Sequence, residues 1–129
     1  MGNFFDLIIV GAGPAGIFAA LEITKTTNLN VLLLEKGKNV EQRKCLIGDN
    51  NPFCRECKPC SIMSGWGGAG AFSDGKLTLT TEFGGWLNNY ISKSNLQNMI
   101  NYVDETYVHY GAPDRLFGED NEIVADLQT

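Results

Sequence analysis

The chain has 129 residues, with 10 Lys+Arg against 15 Asp+Glu, a formal net charge of −5, an apolar fraction of 43% and a charged fraction of 19%. These values suit one globular domain with a hydrophobic core and exclude a disordered chain. The acidic surplus argues against a general grip on nucleic acid, which needs excess Lys and Arg, and the single histidine disfavours two-histidine metal sites and Ser-His-Asp arrangements within this chain.

The uncharged run Leu7 to Leu21, LIIVGAGPAGIFAAL, holds three glycines and a proline. It is shorter than the roughly 20 residues a membrane span requires. Only Asp6 is charged just ahead of it, so the basic start of a secretory signal is missing. The expectation is a cytoplasmic protein with no membrane and no nucleic-acid partner. Phe4 to Val10 reads as a buried strand that stops at Gly11. Pro14 to Lys25 reads as a helix with Ile17, Ala20, Leu21 and Thr24 on one face and Pro14 in its first turn. Thr26 to Asn30 is a polar turn, and Val31-Leu32-Leu33-Leu34 is a second buried strand ending at Glu35. Together these make a βαβ unit.

Lys36 to Gly75 shows neither a helical nor a strand period, a long irregular stretch that calls for a reason. Lys76 to Thr81 alternates like a half-buried strand. Ser94 with Gln97 forms a capping box for a helix whose core stripe is Leu96, Met99, Ile100, Val103 and Tyr107, closed by Gly111 and Pro113. His109 near its end suits the helix dipole and has no catalytic partner nearby in sequence. A last helix begins near Asp120 with Ile123, Val124 and Leu127 apolar. The acids from Asp104 onward read as a solvated face, while Trp86 and Tyr90 fit either core or interface.

Gly11-Ala12-Gly13-Pro14-Ala15-Gly16 is the strongest chemical signal. A bare G-x-G-x-x-G means little, but this one follows a strand and opens a helix, and Glu35 ends the next strand 19 residues after Gly16. Gly11 permits the tight turn, Gly13 lets the backbone approach a pyrophosphate, and Gly16 lets the helix lie close to the sheet. Unpaired N–H groups and the positive end of the helix dipole then hold the phosphates. Glu35 accepts hydrogen bonds from an adenosine ribose hydroxyl and repels a 2′-phosphate, which disfavours NADP. The plain alternative is a glycine turn with no ligand. Five glycines between Gly65 and Gly75 form a second segment whose backbone can pass close to a flat ligand, with Trp66 and Phe72 arguing against a merely flexible loop.

Asp6 to Val10 with GAGPAG, then Glu35-Lys36-Gly37, resembles the amino-terminal end of FAD-dependent oxidoreductases of the glutathione-reductase-like superfamily. SGWGGAGAFSDGKLTL, preceded by Cys-x-x-Cys-x-x-Cys, is similar more narrowly to a family of uncharacterised bacterial FAD-dependent dehydrogenases. The likeness continues through Tyr107-Val108-His109-Tyr110-Gly111-Ala112-Pro113. It implies an α/β, Rossmann-like FAD/NAD(P)-binding domain, with a βαβ unit followed by an irregular Cys/Gly-rich segment and helices. It also implies that Gly11, Ala12, Gly13, Pro14, Ala15, Gly16 and Glu35 hold the ADP half of FAD. Lys36 then lies beside the adenosine, and Gly67-Gly68-Ala69 run along the flavin. Members of the family are several times longer, so residues 1–129 are expected to be the front portion of an incomplete FAD-binding domain, inactive alone. The substrate or electron carrier stays open. A NAD-binding dehydrogenase domain, or a non-enzymatic remnant that binds metal or dinucleotide, remains an alternative.

Cys54-x-x-Cys57-x-x-Cys60 resembles the start of a ferredoxin-type cluster run, with Cys45 as a fourth thiolate. The further Cys-Pro of that run is absent, since Ser61 follows Cys60. Zinc also accepts four thiolates, though usually from two separated pairs. Six basic residues against three acidic ones between Lys36 and Cys60 favour thiolates. Iron–sulfur cluster, zinc, and free or redox-paired thiols all stay open.

Overall fold

The computed structural model describes residues 4–47 and 53–116. They fall into two compact units that divide between Lys76 and Leu77. In the first, strand β1 (Leu7–Val10) is followed by helix α1 (Pro14–Thr26) and strand β2 (Val31–Leu34), and the strands pair in parallel with Leu7 opposite Val31 and Val10 opposite Leu34. The expected start of β1 at Phe4 is three residues too early. Pairing begins where the Asp6 N–H donates to the Asn30 carbonyl at 2.9 Å, and the Asp6 carboxylate accepts the Asn30 N–H at 2.8 Å. Before that point no strand among the described residues pairs with the chain, and Phe4 stands 90% exposed.

Side chains alternate along β1, with Leu7 and Ile9 half-buried and Ile8 and Val10 exposed. Helix α1 covers the Ile9 side, since a Cβ built on Gly16 would lie 3.5 Å from Ile9 Cγ2. The helix ends without a glycine. The hydroxyls of Thr24, Thr26 and Thr27 donate to the carbonyls of Ala20, Glu22 and Ile23, each at 2.8 Å, as second donors that fold these side chains back onto the last turns. Among the described residues no large side chain is fully buried, and Ala12 is the buried apolar residue. Among the described residues between Lys36 and Gly75 only single 3-10 turns form, at Val40–Gln42 and Ala69–Phe72.

In the second unit helix α2 spans Lys93–His109. Its cap is Ser92, whose Oγ accepts the Asn95 N–H at 3.2 Å, and not the expected Ser94. Gln97, the other half of the expected box, is drawn away. Its side-chain amide donates to the Leu79 carbonyl at 3.4 Å and to Asn101 Oδ1 at 2.9 Å. Ser92→Ala is therefore expected to destabilise this unit by about 1 kcal/mol, while Ser94→Ala stays within about 0.5 kcal/mol. Denaturant melts of the two variants measure the difference, and equal effects would return the cap to Ser94. The helix closes as the sequence suggests. Gly111 sits at φ +99°, its N–H donating to Val108 and the Ala112 N–H reaching Tyr107, both at 2.9 Å, the double bond pattern of a glycine-terminated helix.

The stripe of α2 is shallower than expected. Leu96, Ile100 and Val103 are half-buried, while Met99 and Tyr107 are 53% and 40% exposed. His109, the last helical residue, meets the Tyr110 ring edge to face at 5.1 Å. Trp86 and Tyr90 are exposed. Lys76 to Thr81 forms no strand, because a strand exists only through a neighbour's hydrogen bonds and none among the described residues pairs with it. The helix expected near Asp120 lies outside the described residues. Among the described residues no helix is long and apolar enough to cross a membrane.

Candidate functional site

The turn between β1 and α1 uses its three glycines in three different ways. Gly11 adopts φ +102°, and its N–H closes onto the Leu34 carbonyl at 2.7 Å, bending the chain sharply out of the strand. Gly16 faces the Gly11 carbonyl so closely that a Cβ would strike that oxygen. Gly13 is different. Its φ of −78° and ψ of 179° suit any residue, and a Cβ there would have nothing within 4 Å. Neither the backbone nor internal packing requires a glycine at position 13, and the space beside it is open.

That space borders the start of α1. Gly13 is the N-cap, no side chain caps the helix, and its first turn carries no acid. The first N–H groups of a helix have no intrahelical acceptor, and the dipole places partial positive charge there. Among the described residues the N–H groups of Gly13, Ala15 and Gly16 meet no acceptor. Pro14 has no N–H to offer. The corner can therefore receive an anion without displacing a side chain of the protein.

Glu35 faces this turn. Its Oε2 accepts the Ala12 N–H and its Oε1 the Gly37 N–H, both at 2.8 Å. These amides hold its carboxyl below the ordinary glutamate range, against a smaller opposing effect of burial. Each carboxylate oxygen has a second lone pair, so the acid can still accept from a hydroxyl. Ala12 does not offer its own N–H, which Glu35 already holds, and its carbonyl accepts the Gly67 N–H at 2.8 Å. Lys36 is exposed and adds a favourable charge near Glu35.

Because the folded-state pKa of Glu35 is depressed, the stability that this carboxylate lends the turn is complete above the ordinary glutamate value of about 4.3 and disappears as pH falls through the lower folded value. Glu35→Gln cannot accept from both amides, since its NH2 group is a donor. The variant is expected to melt below the wild type at pH 7 and to converge with it in acid. Parallel melting curves from pH 7 to pH 3, with a constant gap between them, would contradict this.

The second glycine-rich segment lies against the first. Besides the Gly67 bond to Ala12, a Cβ on Gly68 would come 3.2 Å from Gly13 Cα and 3.4 Å from Pro14 Cδ. Gly68 sits at φ +60° with ψ −156°, a region that favours glycine. Ala69, at the start of the 3-10 turn, is exposed. Gly37 packs on Gly65, and the Trp66 N–H donates to the Lys38 carbonyl at 3.1 Å. The residues named as contacts for the two halves of one ligand thus share one border.

Arg43 holds this border together, a role that charge alone did not reveal. It is only 3% exposed. Its Nε donates to the Ser61 carbonyl at 2.8 Å, Nη1 to Trp66 at 2.6 Å and Nη2 to Ile62 at 2.7 Å, and the guanidinium lies over the Phe72 ring at 4.7 Å. The available signal was its type, because an arginine can satisfy several diverging carbonyls of an irregular loop and a lysine cannot.

The cysteines do not gather. Cys45, Cys54, Cys57 and Cys60 are all free thiols, and among the described residues no three His, Cys, Asp or Glu side chains form a group able to hold a metal ion. The sequence leaves an iron–sulfur cluster, zinc and free thiols open, and the described residues do not bring the four sulfurs into one group. Three of the sulfurs turn to amides of their own local loop: Cys45 to Ile47 and Cys54 to Glu56, both at 3.5 Å, and Cys60 to Ile62 and Met63. The Met63 and Ile62 amides, with a further contribution from the Arg43 charge, hold the Cys60 thiol below its ordinary range.

Residues 6–43 match the family model of the FAD binding domain. The match begins just ahead of β1, contains the whole glycine turn, α1, β2 and Glu35, and ends at Arg43. It supports FAD binding of the oxidoreductase type, and the small parallel α/β unit fits part of a Rossmann-like fold. The chain is also 41% identical over 71 residues to an uncharacterised protein of Clostridium beijerinckii (strain ATCC 51743 / NCIMB 8052). That stretch is 55% of this chain and spans 13% of the relative's length. No solved structure gives a significant match.

Proposed function

We propose that residues 1–129 are the front portion of the FAD-binding domain of a flavin-dependent dehydrogenase. The observation that carries this reading is the uncapped, open corner at Gly13, with the Glu35 carboxylate fastened beside it, inside the stretch that matches the FAD binding domain. Gly13, Ala15 and Gly16 offer amides to the pyrophosphate, with Gly11, Ala12 and Pro14 shaping the turn that presents them. Glu35 takes the ribose hydroxyls and Lys36 flanks the adenosine. Gly67, Gly68 and Ala69 pass along the flavin side, where their lack of bulk permits close approach. A carboxylate at the ribose disfavours a 2′-phosphate, which sets FAD or NAD apart from NADP.

When bound, the flavin supplies the redox chemistry, exchanging electrons with a small-molecule substrate or electron carrier. The residues of this chain bind and orient it. No acid or base for proton transfer is assigned among them.

The test is a titration of FAD with the chain, followed by flavin fluorescence, with ADP, NAD and NADP as competitors. FAD is expected to bind and ADP to compete, with NADP much weaker than either. Glu35→Gln is expected to weaken ADP about tenfold, the worth of a hydrogen bond to a charged group. Flavin fluorescence and calorimetry that register no FAD uptake would defeat the proposal. Tighter binding of NAD than of FAD would transfer the site to a nicotinamide enzyme.

A further inference from the structure

We propose that Arg43 is a positioning residue for the Gly13 amide, acting across the border through two successive peptide planes. The inference rests on the reading of the α1 start as the pyrophosphate corner. Its first link is covalent geometry. The Trp66 carbonyl and the Gly67 N–H belong to one planar trans peptide and point in opposite directions. Arg43 Nη1 holds the carbonyl end at 2.6 Å, which turns the N–H end toward Ala12, whose carbonyl accepts it at 2.8 Å.

The second link repeats the first. The Ala12 carbonyl and the Gly13 N–H again share one plane, so drawing that oxygen toward Gly67 turns the Gly13 N–H the other way. That N–H meets no acceptor among the described residues. Hydrogen bonds in such a chain polarise one another, and this chain begins at a full cation. The Gly13 amide is thereby fixed in direction and made a stronger donor to an anion. The preceding peptide of the turn is held separately, through the Ala12 N–H on Glu35.

The placement of Arg43 fits this role. A buried guanidinium is costly unless its donors are satisfied, and here carbonyls of Ser61, Ile62 and Trp66 satisfy it. Two of those bonds and the Phe72 ring fix the group itself, and the third acts on the peptide that faces the glycine turn. A lysine ammonium is a single point and cannot span the three oxygens in the same fork.

The test is solution NMR of the full 129-residue chain without nucleotide, followed by ADP titration. The wild type is expected to show a through-hydrogen-bond coupling between the Gly67 amide nitrogen and the Ala12 carbonyl carbon. Arg43→Met keeps apolar bulk beside Phe72 and removes the donors. It is expected to move the Gly67 and Gly13 amide protons upfield, to leave the amides of Phe18 to Ile23 in place, and to weaken ADP about tenfold. Arg43→Lys recovers only part of either change. A Gly13 amide that stays put while Gly67 moves overturns the proposal, as does an equal disturbance throughout α1. Should Arg43→Met fail to fold, the wild-type coupling and Arg43→Lys decide, and absence of the coupling overturns the proposal. A wild-type chain that shows the coupling and responds to Arg43→Lys at Gly13, yet takes up neither ADP nor FAD, supports the relay and defeats the functional reading alone.

Discussion

Gly13→Val is expected to leave the first unit folded while reducing FAD affinity at least about a hundredfold. Two kinds of constraint usually explain a glycine, a positive φ or a neighbour in the way, and neither applies here. On folding grounds valine is acceptable. The loss of a glycine N-cap for a β-branched residue costs about 1 kcal/mol, and the extended φ and ψ of the position suit valine well. On binding grounds the outcome differs. The isopropyl group occupies the open space beside the unsatisfied amides of Gly13, Ala15 and Gly16. Hydrogen bonds to charged groups contribute about 1.5–3 kcal/mol each, so shielding two of them removes about two orders of magnitude or more in affinity. Melting curves and FAD titration of the same sample separate the two effects. Unchanged affinity would mean that phosphates do not rest at this corner.

The parts of the molecule that were legible in the sequence are those fixed by local chemistry. Val31–Leu34 was readable to the residue because an apolar run lies between the polar turn before it and Glu35. The functions of Gly11 and Gly16 in the turn followed from their spacing, since a strand that feeds directly into a packed helix leaves little choice. The failures occurred where a distant group decides. Ser92 and Ser94 are equally good caps in isolation; the helix takes Ser92, and Gln97, the box partner of Ser94, bonds the Leu79 carbonyl instead. Lys76 to Thr81 has the pattern of a strand but, among the described residues, no neighbour to make it one. The basic charge between Lys36 and Cys60 does not reveal what Arg43 does, because its partners are main-chain carbonyls and nothing in the side-chain sequence announces which ones it meets. Three of the cysteine sulfurs meet amides of their own loop, a contact that their spacing does not encode.

Gly16→Ala offers the sharpest contrast with Gly13→Val, because helix propensity and packing predict opposite signs. Gly16 lies inside α1, where alanine is favoured over glycine by about 1 kcal/mol in an open helix. Propensity alone therefore predicts a more stable protein. The added Cβ, however, runs into the Gly11 carbonyl oxygen, which is backbone and cannot rotate aside as a side chain would. Nor can Gly11 retreat freely, since its N–H is tied to Leu34 at 2.7 Å and the next amide, Ala12, is tied to Glu35. Relief requires α1 to lift away from β1. Forced overpacking of this kind costs about 1–3 kcal/mol even where some adjustment is possible. Set against the propensity gain, the upper end of that range leaves about 2 kcal/mol of destabilisation, which is expected to lower the melting temperature by about 10 °C. Circular dichroism through the melt gives the answer. A variant as stable as the parent, or more so, would show that α1 does not lie on the strand at this distance, and the amide-lined corner at Gly13 would lose the geometry that defines it.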